Sequence, residues 1–164
     1  MEPLDSADAR LLDLLQQHAR LKRTELGERV GLSAPAVSER MRKLEERGVV
    51  TGYHAHLDAK RLGLDVAAFV RVAVDGSANY AAFVEAATAM PEVQELHAIT
   101  GEGSHLLKVR VRNTTELERL LAALQRLPGV HGTATSIVLS TPKETPYLDV
   151  EPAPAPEAAG GDGR

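Results

Sequence analysis

Residues 22–47 read KRTELGERVGLSAPAVSERMRKLEER, and this stretch decides the fold. Gly31 follows the apolar Val30, and glycine past a helix C-terminus takes positive φ without strain. Leu32 points inward, and the Ser33 hydroxyl can accept from an orphan backbone N–H to open the next helix. Pro35 falls in that helix's first turn, where a missing N–H costs nothing. Val37, Met41 and Leu44 then recur at i, i+4 and i+7 and share one face. Pro35, Ala36, Glu39, Arg42 and Lys43 lie opposite, with Ser38 and Arg40 on the flanks. The spacing predicts a helix-turn-helix, with one helix over about Lys22–Val30 and a second over Ser33–Arg47, stopped by Gly48. Periodicity alone also fits a plain amphipathic helix with a solvated charged face; the glycine turn, cap and early proline in order favour the former.

In such a pair the start of the second helix meets base edges and later residues meet phosphates. Ala36, Ser38 and Glu39 are the base-reading candidates: Glu39 can accept from a cytosine amino group, and Ala36 can touch a thymine methyl. Arg40, Arg42 and Lys43 are candidate backbone clamps, which position without specifying. Lys22, Arg23, Ser33 and Pro35 complete the expected DNA face.

Upstream, Asp5 or Ser6 opens a first helix to about Ala19, with Leu11, Leu12 and Leu15 on its core face. Residues 1–52 thus form an expected DNA-binding domain, and three helices of this size bury little apolar surface alone. Val49–Leu57 (VVTGYHAHL) has extended character, so 53–64 reads as strand and linker. Beyond it the pattern alternates: Val66–Asp75 strand, Asn79–Met90 helix, Val93–Thr100 strand, His105–Val111 strand, a helix opened by Thr114 or Thr115, and Val130–Leu139 strand. That order, β-α-β-β-α-β over 65–145, describes a ferredoxin-like split unit with both helices on one face of an antiparallel sheet, so the class is α+β. The other sheet face lacks cover, which predicts face-to-face packing in a homodimer. Residues 146–164, rich in Pro, Ala and Gly, read as a disordered tail.

The net charge of −4 is distributed unevenly. Residues 1–52 balance nine Lys/Arg against nine Asp/Glu, whereas 20–47 hold eight against five, a local +3. A local patch suffices to attract DNA, but one this modest predicts weak binding per copy and a need for a dimer or larger assembly. No cysteine is present, which excludes disulfides and thiolate metal sites. No apolar run approaches the ~20 residues that cross a bilayer, and the opening MEPLDSADAR lacks the apolar core of a secretory leader, so a cytoplasmic location without membrane contact is expected. The chain lacks a cysteine nucleophile, a nucleophile elbow, a phosphate-binding loop and a dinucleotide-binding glycine run, so no enzyme and no cofactor are expected. His54 and His56, or His97, His105 and His131, offer a metal-responsive alternative; isolated surface histidines are the plainer reading. A ligand-independent regulator of the same fold is the remaining alternative.

Four segments, LDSADARLLDLLQQHAR, ELGERVGLSAPAVSERMRKLEERGVVTGY, ITGEGSHLLKVRV and LPGVHGTATSIVL, together resemble the Lrp/AsnC transcriptional regulators over about residues 4–145. The resemblance implies an N-terminal helix-turn-helix of winged-helix-like type and a C-terminal regulatory domain. It also implies a dimeric building block, often assembled further to a tetramer or octamer, that senses amino acids or related metabolites. Thr100, Gly101, Glu102, Gly103, Ser104 and His105 form the corresponding effector loop. Gly101 and Gly103 leave backbone N–H groups open to a carboxylate, and Glu102 offers a partner to an amine; the same glycines also suit an ordinary hairpin turn. The family's loop runs closer to T-G-D-aromatic-D. Here Gly103 replaces the aromatic and Ser104 the second acid, which removes a charged partner for an ammonium, worth about 1–3 kcal/mol if buried. Two further departures fall at the second helix. Lys22 stands where Ser or Thr is usual, and Gly27 where Ala is common, each predicting about 1 kcal/mol of lost helix stability.

Overall fold

The computed structural model describes residues 3–152 and divides into two compact units, one running to His56 and resuming at Thr145, the other Leu57–Glu144. The break after His56 falls inside the span expected as linker.

The first unit holds α1 (Ser6–Gln17), α2 (Arg23–Val30) and α3 (Ala34–Glu46). Asp5 caps α1 by accepting from the Asp8 amide at 2.8 Å. Gly31 ends α2 in the left-handed region at φ 72°, and Ser33 caps α3 by accepting from the Ala36 amide. Leu11, Leu15, Leu26, Val37 and Met41 form the core, with Leu14, Leu21, Val30 and Leu32 at its edge. α2 is better supported than its composition suggests. The Glu25 carboxylate reaches back to accept from the Lys22 backbone amide at 2.8 Å, which supplies half of a capping box. Gly27 is buried, and a Cβ there would run into the Leu32 carbonyl oxygen. The glycine therefore lets the turn close onto the helix, with the Leu32 amide donating to the Gly27 carbonyl at 2.9 Å. The Lys22 side chain itself makes no cap bond, and at Gly27 the turn leaves no room for the Cβ of the commoner Ala.

The strand expected within Val49–Leu57 does not form. The segment is extended but mostly exposed, and a strand exists only where a neighbour completes its hydrogen-bond ladder. Tyr53 anchors its start: its hydroxyl donates to Glu45 at 2.8 Å. Burial first, then that carboxylate, pushes the phenol up to about 12.

After a short 3-10 turn (Lys60–Leu62), the second unit runs β1 (Val66–Val74), α4 (Ser77–Thr88), β2 (Val93–Ala98), β3 (His105–Val111), α5 (Thr114–Gln125) and β4 (Val130–Ile137). The sheet order is β2-β3-β1-β4, with every neighbouring pair antiparallel. This is the ferredoxin-like arrangement read from the element order. Register assigns the faces. Ala68 opposes Val109 and Val70 opposes Leu107, and these join Phe83 and Ala87 of α4 and Leu117, Leu120 and Leu124 of α5 in the core. One residue along, Phe69 opposes Lys108 and Arg71 opposes Leu106 on the other face. α4 starts at Ser77 rather than Asn79: Gly76 makes the entry at φ 70°, and the Asn79 side chain donates to the Asp75 carbonyl at 2.8 Å from inside the first turn.

The chain after β4 departs from the expected tail. The Tyr147 hydroxyl donates to Asp13 of α1, the Gln16 side-chain amide donates to the Leu148 carbonyl at 2.9 Å, and the Leu148 amide donates back to Gln16 at 2.7 Å. Residues 147 and 148 are therefore held on α1; the remainder of the expected tail, 153–164, lies outside the described residues. Among the described residues no helix is long and apolar enough to cross a membrane.

Candidate nucleic-acid interface and effector loop

Burial of Val37, Met41 and Leu44 (1% exposed or less) fixes the rotation of α3 about its axis. Pro35, Ser38, Glu39, Arg42 and Lys43 consequently face outward, and Ala36 is half-buried at the edge. Lys22 and Arg23 are exposed at the start of α2. Ser33 spends its hydroxyl on the cap, and Ser38 donates its hydroxyl to the Ala34 carbonyl at 3.0 Å, leaving lone pairs outward.

The charges on this face are tied to one another at the three- and four-residue spacing that makes neighbours on a helix. Arg42 clasps Glu39 through two bonds, Nε at 3.0 Å and Nη2 at 2.6 Å, and reaches Glu46 at 2.5 Å. Lys43 lies 3.8 Å from Glu39. The Arg42 guanidinium holds the Glu39 carboxyl below the usual carboxylate range, and Glu39 in turn raises Arg42. All three side chains are at least half exposed, so these pairs are exchangeable rather than structural. Arg40 differs. Its Nη1 donates to Asp5 at 2.6 Å and to Asp8 at 2.7 Å, both on α1, and the Asp8 side chain is only 12% exposed.

The effector loop joins β2 to β3. Gly103 adopts φ 79°, and a Cβ there would press on the Val72 carbonyl oxygen and the Arg71 side chain, so the loop lies directly on β1. The Ser104 amide donates to the Val72 carbonyl at 2.9 Å, the Ile99 amide to the Ser104 carbonyl at 3.0 Å, and the Ser104 hydroxyl accepts from the Val74 amide at 3.1 Å. The hydroxyl also sits 2.9 Å from Nδ1 of His105. Ser104 thus locks the loop to the sheet rather than presenting a free polar group. His105 is 2% exposed, edge-on to Tyr80 at 5.2 Å and tilted against Phe83 at 4.8 Å, and burial pushes its imidazole pKa down. Thr100, Gly101 and Glu102 stay exposed. Among the described residues the amides of Gly101, Glu102 and Gly103 make no hydrogen bond.

The histidines do not converge. His97 lies on the outer face of β2 beside Glu95 at 3.2 Å, His105 in the core, and His131 3.3 Å from Asp75. Among the described residues no group of three or more His, Cys, Asp or Glu is placed to hold a metal.

A three-helix unit that presents one face of a capped helix, followed by a ferredoxin-like unit, defines a DNA-binding transcriptional regulator with a separate ligand-binding domain. Family models match both parts: "Winged helix-turn-helix DNA-binding" over residues 4–51 and "Lrp/AsnC ligand binding domain" over 67–148. The chain is 34% identical to the HTH-type transcriptional regulator FL11 of Pyrococcus horikoshii over 91% of its length and 98% of that protein. It is 36% identical to the leucine-responsive regulatory protein of Haemophilus influenzae, over 88% and 89%. Among solved structures, a Neisseria meningitidis transcriptional regulator in complex with L-methionine superposes with a TM-score of 0.84 at 33% identity, covering 88% of this chain and 96% of that one. The chain belongs to the Lrp/AsnC family of transcriptional regulators.

Burial of His105 predicts an acid-labile second unit. In the unfolded chain a histidine takes up its proton near pH 6.5, whereas the buried ring takes it up only at lower pH. Stability is therefore full above about pH 6.5 and falls as the pH drops towards the folded-state value, because there the unfolded chain alone gains the proton. His105→Phe keeps an aromatic ring against Tyr80 and Phe83 and removes this titration. Thermal denaturation between about pH 7 and pH 5 should show a shallower fall in Tm for the variant; parallel curves would refute it.

Proposed function

We propose that the regulator reads duplex DNA with the outward face of α3 and answers to an amino acid at the β2–β3 loop. The observation that carries the DNA reading is the burial of Val37, Met41 and Leu44, which leaves Ala36, Ser38 and Glu39 at the front of the helix and Arg42 and Lys43 behind them. Glu39 and Arg42 act as a pair. A phosphate that takes Arg42 from Glu39 frees that carboxylate to accept from a cytosine amino group, so backbone contact and base reading are linked. Lys22 and Arg23 supply further phosphate contacts.

Replacing Arg42 and Lys43 together by alanine should weaken binding to every duplex and flatten the slope of log K against log salt by about two, measured by fluorescence anisotropy at several ionic strengths. An unchanged slope would remove both from the phosphate contacts.

For the effector, the unbonded amides of Gly101, Glu102 and Gly103 suit a carboxylate, and the exposed Glu102 carboxylate suits an ammonium. The complex of the meningococcal relative with L-methionine supports an amino acid as the ligand class. Calorimetry with L-methionine as probe should show binding that Glu102→Gln weakens about tenfold; the same affinity in the variant would exclude Glu102 as the amine partner.

The proposed assembly is a homodimer, and a larger ring built from it, through the outer sheet face, in a cytoplasmic setting. Phe69 is 40% exposed at the centre of that face, next to the half-buried Leu106 and opposite the exposed Ser136 of β4. Phe69→Glu should shift the sedimentation coefficient from the assembled species to the monomer at micromolar concentration; an unmoved boundary would place the interface elsewhere.

A further inference from the structure

Arg40 lies on the flank of α3, among the basic residues that a helix-turn-helix turns towards phosphate. Its surroundings assign it another task. Nη1 donates at 2.6 Å to Asp5 and at 2.7 Å to Asp8, residues 35 and 32 positions away in the chain. Asp5 already caps α1 with its other oxygen, accepting from the Asp8 amide. The two acids occupy the start of α1, where the helix dipole favours negative charge. Together the three groups bridge a groove of about 600 Å³ between α1 and α3, lined also by Ala36, Glu39 and Lys43. Leu44 forms part of the groove's wall, while Val37 and Met41 turn away from it into the core with Leu11, Leu15 and Leu26. Apolar packing therefore sets the rotation of α3, and the charged bridge is what spans the open side.

We propose that Arg40 is a positioning residue, a strut that with Asp5 and Asp8 holds the tilt of α3 against α1 and so aims Ala36, Ser38 and Glu39 at the bases. Its charge is matched by two carboxylates and is not spent on phosphate. Sequence discrimination then depends on two acids at the start of α1. This inference rests on α3 being the reading helix.

The test uses the full-length protein, the duplex that the wild type enriches from a random-sequence library, and a scrambled duplex of equal length. Three variants are compared: Arg40→Met, which keeps the aliphatic stem; Asp5→Ser with Asp8→Ala, which keeps a capping oxygen on α1; and the combination of all three. The strut predicts that each of the first two lowers the ratio of specific to scrambled affinity about tenfold and leaves the salt slope at its wild-type value. It also predicts that the combination is no worse than either, because one interaction has been removed from both ends. The sign is diagnostic. Removing two acids adds positive charge and by electrostatics alone would tighten binding to both duplexes. The proposal is overturned if Arg40→Met weakens both duplexes equally and flattens the slope by about one, or if the Asp5/Asp8 variant binds both more tightly. Partial unfolding lowers both affinities by the same factor and cancels from the ratio. Failure of the DNA-face reading itself would appear separately, as a salt slope unmoved by the loss of Arg42 and Lys43.

Discussion

The burial of one stripe on α3 is the constraint from which the DNA-binding half follows. Val37, Met41 and Leu44 are nearly inaccessible, and Val37 and Met41 pack with Leu11, Leu15 and Leu26, so the helix has a single rotational setting. Each of these side chains contributes about 1.5–3 kcal/mol on burial, which exceeds any gain from turning a charged residue inward. Everything facing out does so because this stripe faces in. The turn that delivers the stripe depends on Gly31 in the left-handed region and on Gly27, which admits the Leu32 carbonyl against α2.

The regulatory half obeys the same logic with a period of two. Alternate residues of β1 and β3 enter the core beneath α4 and α5, and the intervening ones form the outer face. That face is not uniformly apolar. Lys108 lies between Glu95 and Glu144, which together raise its pKa, Glu144 most strongly. On that face Phe69 stands directly opposite Lys108 on the two central strands, so an interface built on it would pair an aromatic ring with neighbouring charge.

Much of this was legible in the sequence because it rests on local rules. The Gly31 turn, the Ser33 cap, the stripe on α3 and the β-α-β-β-α-β order all follow from residue type and spacing, and the structure places them there. What spacing does not report shares a cause: each feature depends on what lies against the residue in the fold. The run Val49–Leu57 has strand composition but no neighbouring strand, and composition cannot report a missing ladder. Gly27 reads as a weak helix former until Leu32 is seen lying against it. Arg40 and Arg42 share one expected role as backbone clamps, yet one is tied to α1 and the other to its own helix. Ser104 reads as a lost acid, whereas its hydroxyl joins the loop to β1. Tyr147 and Leu148 sit in a Pro-rich context that reads as free chain, while their partners Asp13 and Gln16 lie near the other end.

The pairing of charges also explains how an acidic chain serves as a DNA-binding regulator. A local +3 would attract phosphate weakly, and part of even that is neutralised within α3 by Glu39 and Glu46. Such exposed pairs are worth little, so a phosphate can displace a carboxylate from Arg42 at small cost. In the proposed reading, a displaced Glu39 is repelled by the phosphate and stabilised only where a base donor meets it. On a mismatched sequence that carboxylate would stay unpaired beside the backbone, and Arg42 would return to it. On the proposed reading, weak unspecific attraction and sequence-dependent release have one origin, and joining copies on one duplex would supply the affinity that a single copy lacks.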